Sequence, residues 1–127
     1  MAKTEAKTAK KQKAAKLPAQ VDLAIAAAED KQAVNVVVLD LRKTAGFTDF
    51  FLIASGTNTR QVRAIADAVM DSLSAKGVKP AYVEGYDHSQ WILLDYFDFI
   101  VHVFGPETRV FYDLERLWGN AERVEVT

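Results

Sequence analysis

Cysteine is absent from this sequence, which excludes disulfides, thiolate metal sites and cysteine nucleophiles and fits a reducing, cytoplasmic setting. No apolar run approaches the roughly 18 residues needed to span a bilayer. The N-terminus lacks the apolar core of a signal peptide, so a soluble cytoplasmic protein is expected. Histidine is scarce: His88 and His102 are the only imidazoles available as neutral-pH bases. The phosphate loop GxxxxGK(S/T) and the dinucleotide fingerprint GxGxxG are both missing, and no internal repeat is present. What remains is a chain of 127 residues, half of them apolar, which is enough for one domain with a sizeable core and too little for two.

The net charge of -1 conceals an uneven distribution. Residues 1–17 hold six lysines (Lys3, Lys7, Lys10, Lys11, Lys13 and Lys16) against Glu5, a balance of +5 that leaves -6 on the rest. An Ala/Lys/Thr segment with so little to bury cannot offset its ordering entropy, so residues 1–17 are expected to form a disordered basic tail. Such a tail either touches RNA phosphates without sequence preference or simply aids solubility. The acidic domain, residues 18–120, favours a basic partner over nucleic acid as its main ligand.

Trp91 to Phe104, WILLDYFDFIVHVF, reads as two strands joined by a turn at Tyr96-Phe97-Asp98, and forms the centre of the expected sheet. Alternation sends Ile92 and Leu94 to one face and Trp91, Leu93 and Asp95 to the other. An ionised Asp is rarely tolerated in a helix-covered core, so the second face is expected to be open, with Trp91 and Leu93 exposed on it. Upstream, Pro18 opens a helix through about Gln32, and VNVVVLD and FFLIAS follow as strands. Asn58 and Gln61 resemble a capping box for a helix whose stripe is Val62, Ile65, Ala66, Val69 and Leu73, with Gly77 ending it. Its outer residues Arg60, Arg63, Asp67 and Asp71 are expected to face solvent. Tyr82-Val83-Glu84-Gly85 is a short strand with a glycine exit. Pro106 starts a last helix with Val110, Phe111, Leu114, Leu117 and Trp118 as its stripe, and residues 121–127 are left as a tail. The order αββαβββα predicts an α/β single domain with a mixed five-stranded sheet flanked by helices.

Chemistry-bearing constellations are thin. Asp40 and Arg42 at a strand end suit a turn cap or local ion pair, with a catalytic Asp as the sharper alternative. His102 within a strand suits a hydrogen-bonded structural role better than catalysis. Asp87-His88 is only a dipeptide, so no metal or cofactor is implied. Ser55-Gly56 before a helix is similar to the phosphate-binding turn of a nucleotidyltransferase. That chemistry needs paired carboxylates for magnesium, and Asp95 and Asp98 straddle a turn instead. A divergent nucleotidyltransferase-like enzyme is therefore the alternative reading, not the first.

The runs VVVLDLR (36–42), TDFFLIASG (48–56), RQVRAIADAV (60–69), EGYDHSQWILLDYFDFIVHVF (84–104) and RVFYDLERLW (109–118) resemble, in order, the ribosomal silencing factor family RsfS, also called Iojap or YbeB. The likeness spans roughly residues 19–119. Phe50 and Phe97 stand where members often have tyrosine and glycine. The resemblance implies a non-enzymatic, nucleotidyltransferase-like domain without catalytic residues. It also implies binding to the large ribosomal subunit through large-subunit ribosomal protein fourteen, which blocks subunit association and represses translation; organellar relatives are tied to large-subunit assembly. Residues and resemblance converge on Trp91, Leu93, Asp95 and Tyr96 as partner-binding, with Glu84 as a further acidic contact. Contact of the tail with ribosomal RNA and a homodimer of the free protein are further expectations.

Overall fold

Two strands that are buried on both faces set the architecture. In the computed structural model, which describes residues 17–126, β2 (Phe50–Ser55) and β5 (Phe99–Phe104) are buried along their whole length and pair in parallel. Parallel strands buried on two sides need cover on two sides. Around them the sheet runs β3-β4-β5-β2-β1-β6, with β1 (Val34–Asp40), β3 (Tyr82–Glu84), β4 (Trp91–Asp95) and β6 (Glu122–Glu125). Every pairing except β2–β5 is antiparallel.

The first face is covered by α1 (Ala19–Asp30) and α2 (Thr59–Ser74). Pro18 caps α1 with its carbonyl, which accepts the Asp22 N–H, and Val21, Ala24, Ile25 and Ala28 are buried at helical spacing. The helix ends two residues before the expected Gln32, whose φ of 62° belongs to the turn into β1. In α2 the stripe is as read from the sequence, and the Asn58 side chain accepts the Gln61 N–H at 2.9 Å. Gln61 completes the cap from the Thr57 N–H and donates to the Lys31 and Gln32 carbonyls, tying the start of α2 to the end of α1. Gly77, at φ 77°, closes the helix as expected.

The second face has lighter cover, and here the structure departs from the sequence reading. The last helix is broken at Asp113, in the left-handed region at φ 48°, into α3 (Pro106–Tyr112) and α4 (Leu114–Leu117). Its expected stripe is split accordingly. Leu114 and Trp118 pack on the sheet, whereas Val110, Phe111 and Leu117 point to solvent. Arg109 fixes the break by donating from Nε and Nη2 to the Glu115 carboxylate and from Nη1 to the Asn35 carbonyl and Ser55 hydroxyl. The Asn35 carbonyl reaches it because β1 carries a one-residue bulge there, with Asn35 at φ 52°.

Two further corrections follow. The sheet has six strands, not five, because Glu122–Glu125, in the segment expected to be a tail, pairs with β1 and leaves Val126 buried against the first core. Arg63 and Asp67 do not face solvent alone. Arg63 donates to the Ser89 hydroxyl and the Tyr86 and Asp87 carbonyls, and Asp67 accepts the Tyr86 hydroxyl at 2.8 Å, so α2 holds the loop that leads into Trp91. Leu17 packs against the core, and the expectation for the lysine-rich tail otherwise lies outside the described residues.

The β4–β5 turn carries a local conflict. Phe97 sits at φ 71° with its side chain in solvent, a backbone region that disfavours side chains. The turn keeps this geometry because the Asp95 carboxylate accepts the Phe97 N–H at 2.8 Å and the Thr48 hydroxyl donates to the Phe97 carbonyl. Phe97→Gly is therefore expected to raise stability by roughly 0.5–1 kcal/mol, partly offset by unfolded-chain entropy, read as a higher melting temperature.

Candidate functional site: an aromatic, acidic sheet face

Strand register assembles the second face residue by residue. Opposed residues of an antiparallel ladder share a face, so Glu84, Leu93 and His102 lie in one row and Tyr82, Asp95 and Ile100 in the next. Trp91 stands opposite Phe104. The alternation expected for β4 is present: Ile92 and Leu94 are buried beneath the helices, whereas Trp91, Leu93 and Asp95 are half-buried on the other side. Trp91 and Leu93 are thus less open than the sequence reading had them, because α3 and β5 flank them. The Trp91 indole stacks on Phe104 at 5.0 Å, meets Tyr112 of α3 at 4.4 Å and donates from Nε1 to Nδ1 of His102 at 3.1 Å.

Tyr96 does not belong to this surface. It is 7% exposed, stacked on Phe99 at 4.9 Å within the helix-covered core, and its hydroxyl has no partner among the described residues. Burial alone pushes that hydroxyl's pKa up to about 12. Its position follows from parity, since residue 96 continues the row of Ile92 and Leu94. The sequence reading also missed two contributors to the open face: Tyr82, whose hydroxyl donates to Glu84 at 3.1 Å, and the pair Phe111 and Tyr112, which carries the aromatic surface onto α3. The surface is apolar at its centre and acidic at its β3–β4 margin, where Glu84 is exposed and Asp95 is held by its turn.

The other candidates resolve into structural roles. Arg42 clasps Asp40 with its backbone N–H, Nε and Nη2, the last at 2.7 Å, and this guanidinium holds the carboxyl below its ordinary range. Ser55 and Gly56 line an open cavity of about 490 Å³ in which Arg109 and Glu115 are paired with each other and Asp113 is a further charged group. Asp95 and Asp98 are not brought together: Asp95 lies on the strand face and Asp98 in the exposed turn. His88 lies in an exposed loop, and among the described residues no group of three His, Asp or Glu side chains is placed to hold a metal ion.

His102 is a buried strand residue with its ring edge-on to Phe51 at 4.4 Å. Desolvation pushes its pKa down from 6.5 to about 3, so the folded protein keeps it neutral. The unfolded chain takes up a proton as pH falls below about 6.5 and the folded one does not, so His102 withdraws stability progressively from there down to about 3. Asp40 and Glu115, both lowered by arginine partners, lose their contribution only further down, as pH falls through the carboxylate range. The melting temperature is therefore expected to decline between about pH 6.5 and 5, and His102→Leu is expected to flatten that part of the profile, as followed by circular dichroism.

Comparison with known proteins places this arrangement. The family described as "ribosomal silencing factor during starvation", RsfS, matches residues 11–127. A ribosomal silencing factor RsfS from Halalkalibacterium halodurans is 40% identical over 106 residues, covering 84% of this chain and 91% of the relative. A Mus musculus protein named for mitochondrial assembly of the ribosomal large subunit is 29% identical over 101 residues, 77% of this chain and 44% of the relative. The crystal structure of a protein from Chromobacterium violaceum superposes with a TM-score of 0.77 at 37% identity, covering 79% of this chain and 83% of that one. The fold carrying this aromatic, acidic face is that of the ribosomal silencing factors, and the chain belongs to the RsfS family.

Proposed function

We propose that this protein silences ribosomes without catalysis, by docking its second sheet face on the large subunit through large-subunit ribosomal protein fourteen and obstructing the small subunit. The observation that carries the reading is the coincidence, on one rigid strand, of the half-buried Trp91 and Leu93 with an acidic margin of Glu84 and Asp95. A basic ribosomal protein complements that margin, and the indole supplies the apolar anchor. Tyr82, Phe111 and Tyr112 extend the contact; Tyr96 supports it from the core. A domain of this size can present the roughly 800 Å² per partner that a specific interface takes. Steric blocking then requires only occupancy and bulk, and among the described residues no group of three His, Asp or Glu side chains is placed to hold a metal ion. The working compartment is the cytoplasm. The names of the relatives, silencing factor and large-subunit assembly protein, support both a regulatory role and the choice of the large subunit.

A second copy of the chain is the competing occupant, because Phe111 is 79% exposed beside the same aromatics. Sedimentation of the free protein separates a monomer from such a dimer.

Co-sedimentation with purified large subunits, followed by addition of small subunits, tests the docking face. Wild type is expected to stay bound and prevent joining. Folded Trp91→Ala is expected to lose about 2 kcal/mol of binding, roughly thirtyfold in affinity, and to let the subunits join. Retention of wild-type affinity would sink the assignment of this face.

The six lysines before Leu17 add a salt-dependent contribution through nearby ribosomal RNA. Removing residues 1–16 is expected to weaken binding and to make its dependence on salt concentration shallower; an unchanged salt slope removes RNA from the account.

A further inference from the structure

His102 is costly where it stands. It lies on a central strand, 3% exposed, in a row otherwise made of apolar side chains on β5 and β2: Ile100, Phe104, Phe51 and Ile53. Among the described residues its side chain makes one hydrogen bond, as acceptor at Nδ1 from the Trp91 indole. An indole N–H can only donate, so the imidazole carries its proton on Nε2, and that buried N–H has no partner among the described residues. A leucine would remove that penalty, and the indole N–H it would release belongs to a half-buried residue and not to one sealed in the core. Packing and stability alone therefore argue against histidine at this position.

The hydrogen bond explains its presence. The indole stacks on Phe104 and meets Tyr112, and ring contacts of this kind do not by themselves select between the indole and its flip about the Cβ–Cγ bond. Only one of them places Nε1 against His102. We infer that His102 is a positioning residue for the docking face: its Nδ1 holds the Trp91 indole in the single orientation that the partner meets. The inference rests on the reading of Trp91 as the anchor. A ring fixed beforehand loses less freedom on association, so the gain is in affinity and not in folding.

The test uses the full-length protein, large-subunit co-sedimentation, thermal unfolding, and water exchange of the Trp91 indole N–H followed by proton–nitrogen NMR; Trp91→Phe distinguishes that resonance from the Trp118 one. His102→Leu is expected to melt no lower than wild type at pH 7, to exchange its indole proton faster and to bind about tenfold more weakly. His102→Asn, whose amide oxygen can take the place of Nδ1, is expected to recover most of the affinity and the slow exchange. In a Trp91→Phe background, which has no N–H to hold, His102→Leu should cause no further loss.

Wild-type affinity in folded His102→Leu overturns the inference, as does an equal loss in the Trp91→Phe background. If His102→Leu and His102→Phe both unfold, histidine is a packing residue and the inference also falls. Trp91→Ala separates the two readings. If it binds like wild type the docking face itself is wrong, whereas loss in Trp91→Ala with none in His102→Leu removes only the positioning role.

Discussion

The parallel pairing of β2 with β5 is the constraint on which the rest of the molecule depends. Both strands are buried throughout, so both faces of the sheet must be screened from water. The chain meets this demand unequally. The sixteen-residue α2 and twelve-residue α1 seal the first face, while the second receives helices of seven and four residues. At β1 and β2 the light cover suffices, because Leu114 and Trp118 reach Phe51 and its neighbours. Beyond β5 it gives out, and Trp91 and Leu93 remain half-open next to Tyr112. The proposed docking surface is thus the part of a two-sided core that the chain leaves without its second layer.

Much of this was legible because strands and amphipathic helices write their periods into sequence. WILLD declared its two faces, and the stripe of α2 needed only counting at helical spacing with an Asn58 cap in front. Tyr96 was equally legible and was misplaced: residues 92, 94 and 96 share parity, so its row was already fixed by Ile92 and Leu94. Proximity in sequence to the aromatic motif outweighed that rule.

Other features were not written locally. RVFYDLERLW keeps a helical period straight through Asp113, and no breaker residue marks the interruption. The left-handed turn there is stabilised by Arg109, which joins Glu115 to Asn35 and Ser55, residues more than fifty positions upstream. Tertiary contact overrode propensity. β6 is four residues long, three of them charged, and becomes a strand only because the β1 edge offers it partners. The roles of Arg63 and Asp67 were hidden for a similar reason: their partners lie in a loop some twenty residues away.

The two faces also differ in how strictly they obey the rules of a core. On the first, the strand residues Val36, Val38, Phe50, Leu52, Ala54, Ile92, Leu94, Phe99, Val101 and Val103 are all apolar. On the second, Glu84, Asp95 and His102 of β3, β4 and β5 stand beside Trp91 and Leu93, while Ser55 of β2 and Arg123 and Glu125 of β6 stand at the opposite end. A face selected for stability alone would seal these aromatics, and a face left wholly bare would invite indiscriminate association. In the proposed reading, charges at the margin and a hydrogen-bonded histidine beneath restrict a sticky strand to a partner of one shape and charge. On that same reading, the polar groups beside Trp91 and Leu93 are those that meet a partner, and their cost to the fold is offset only there.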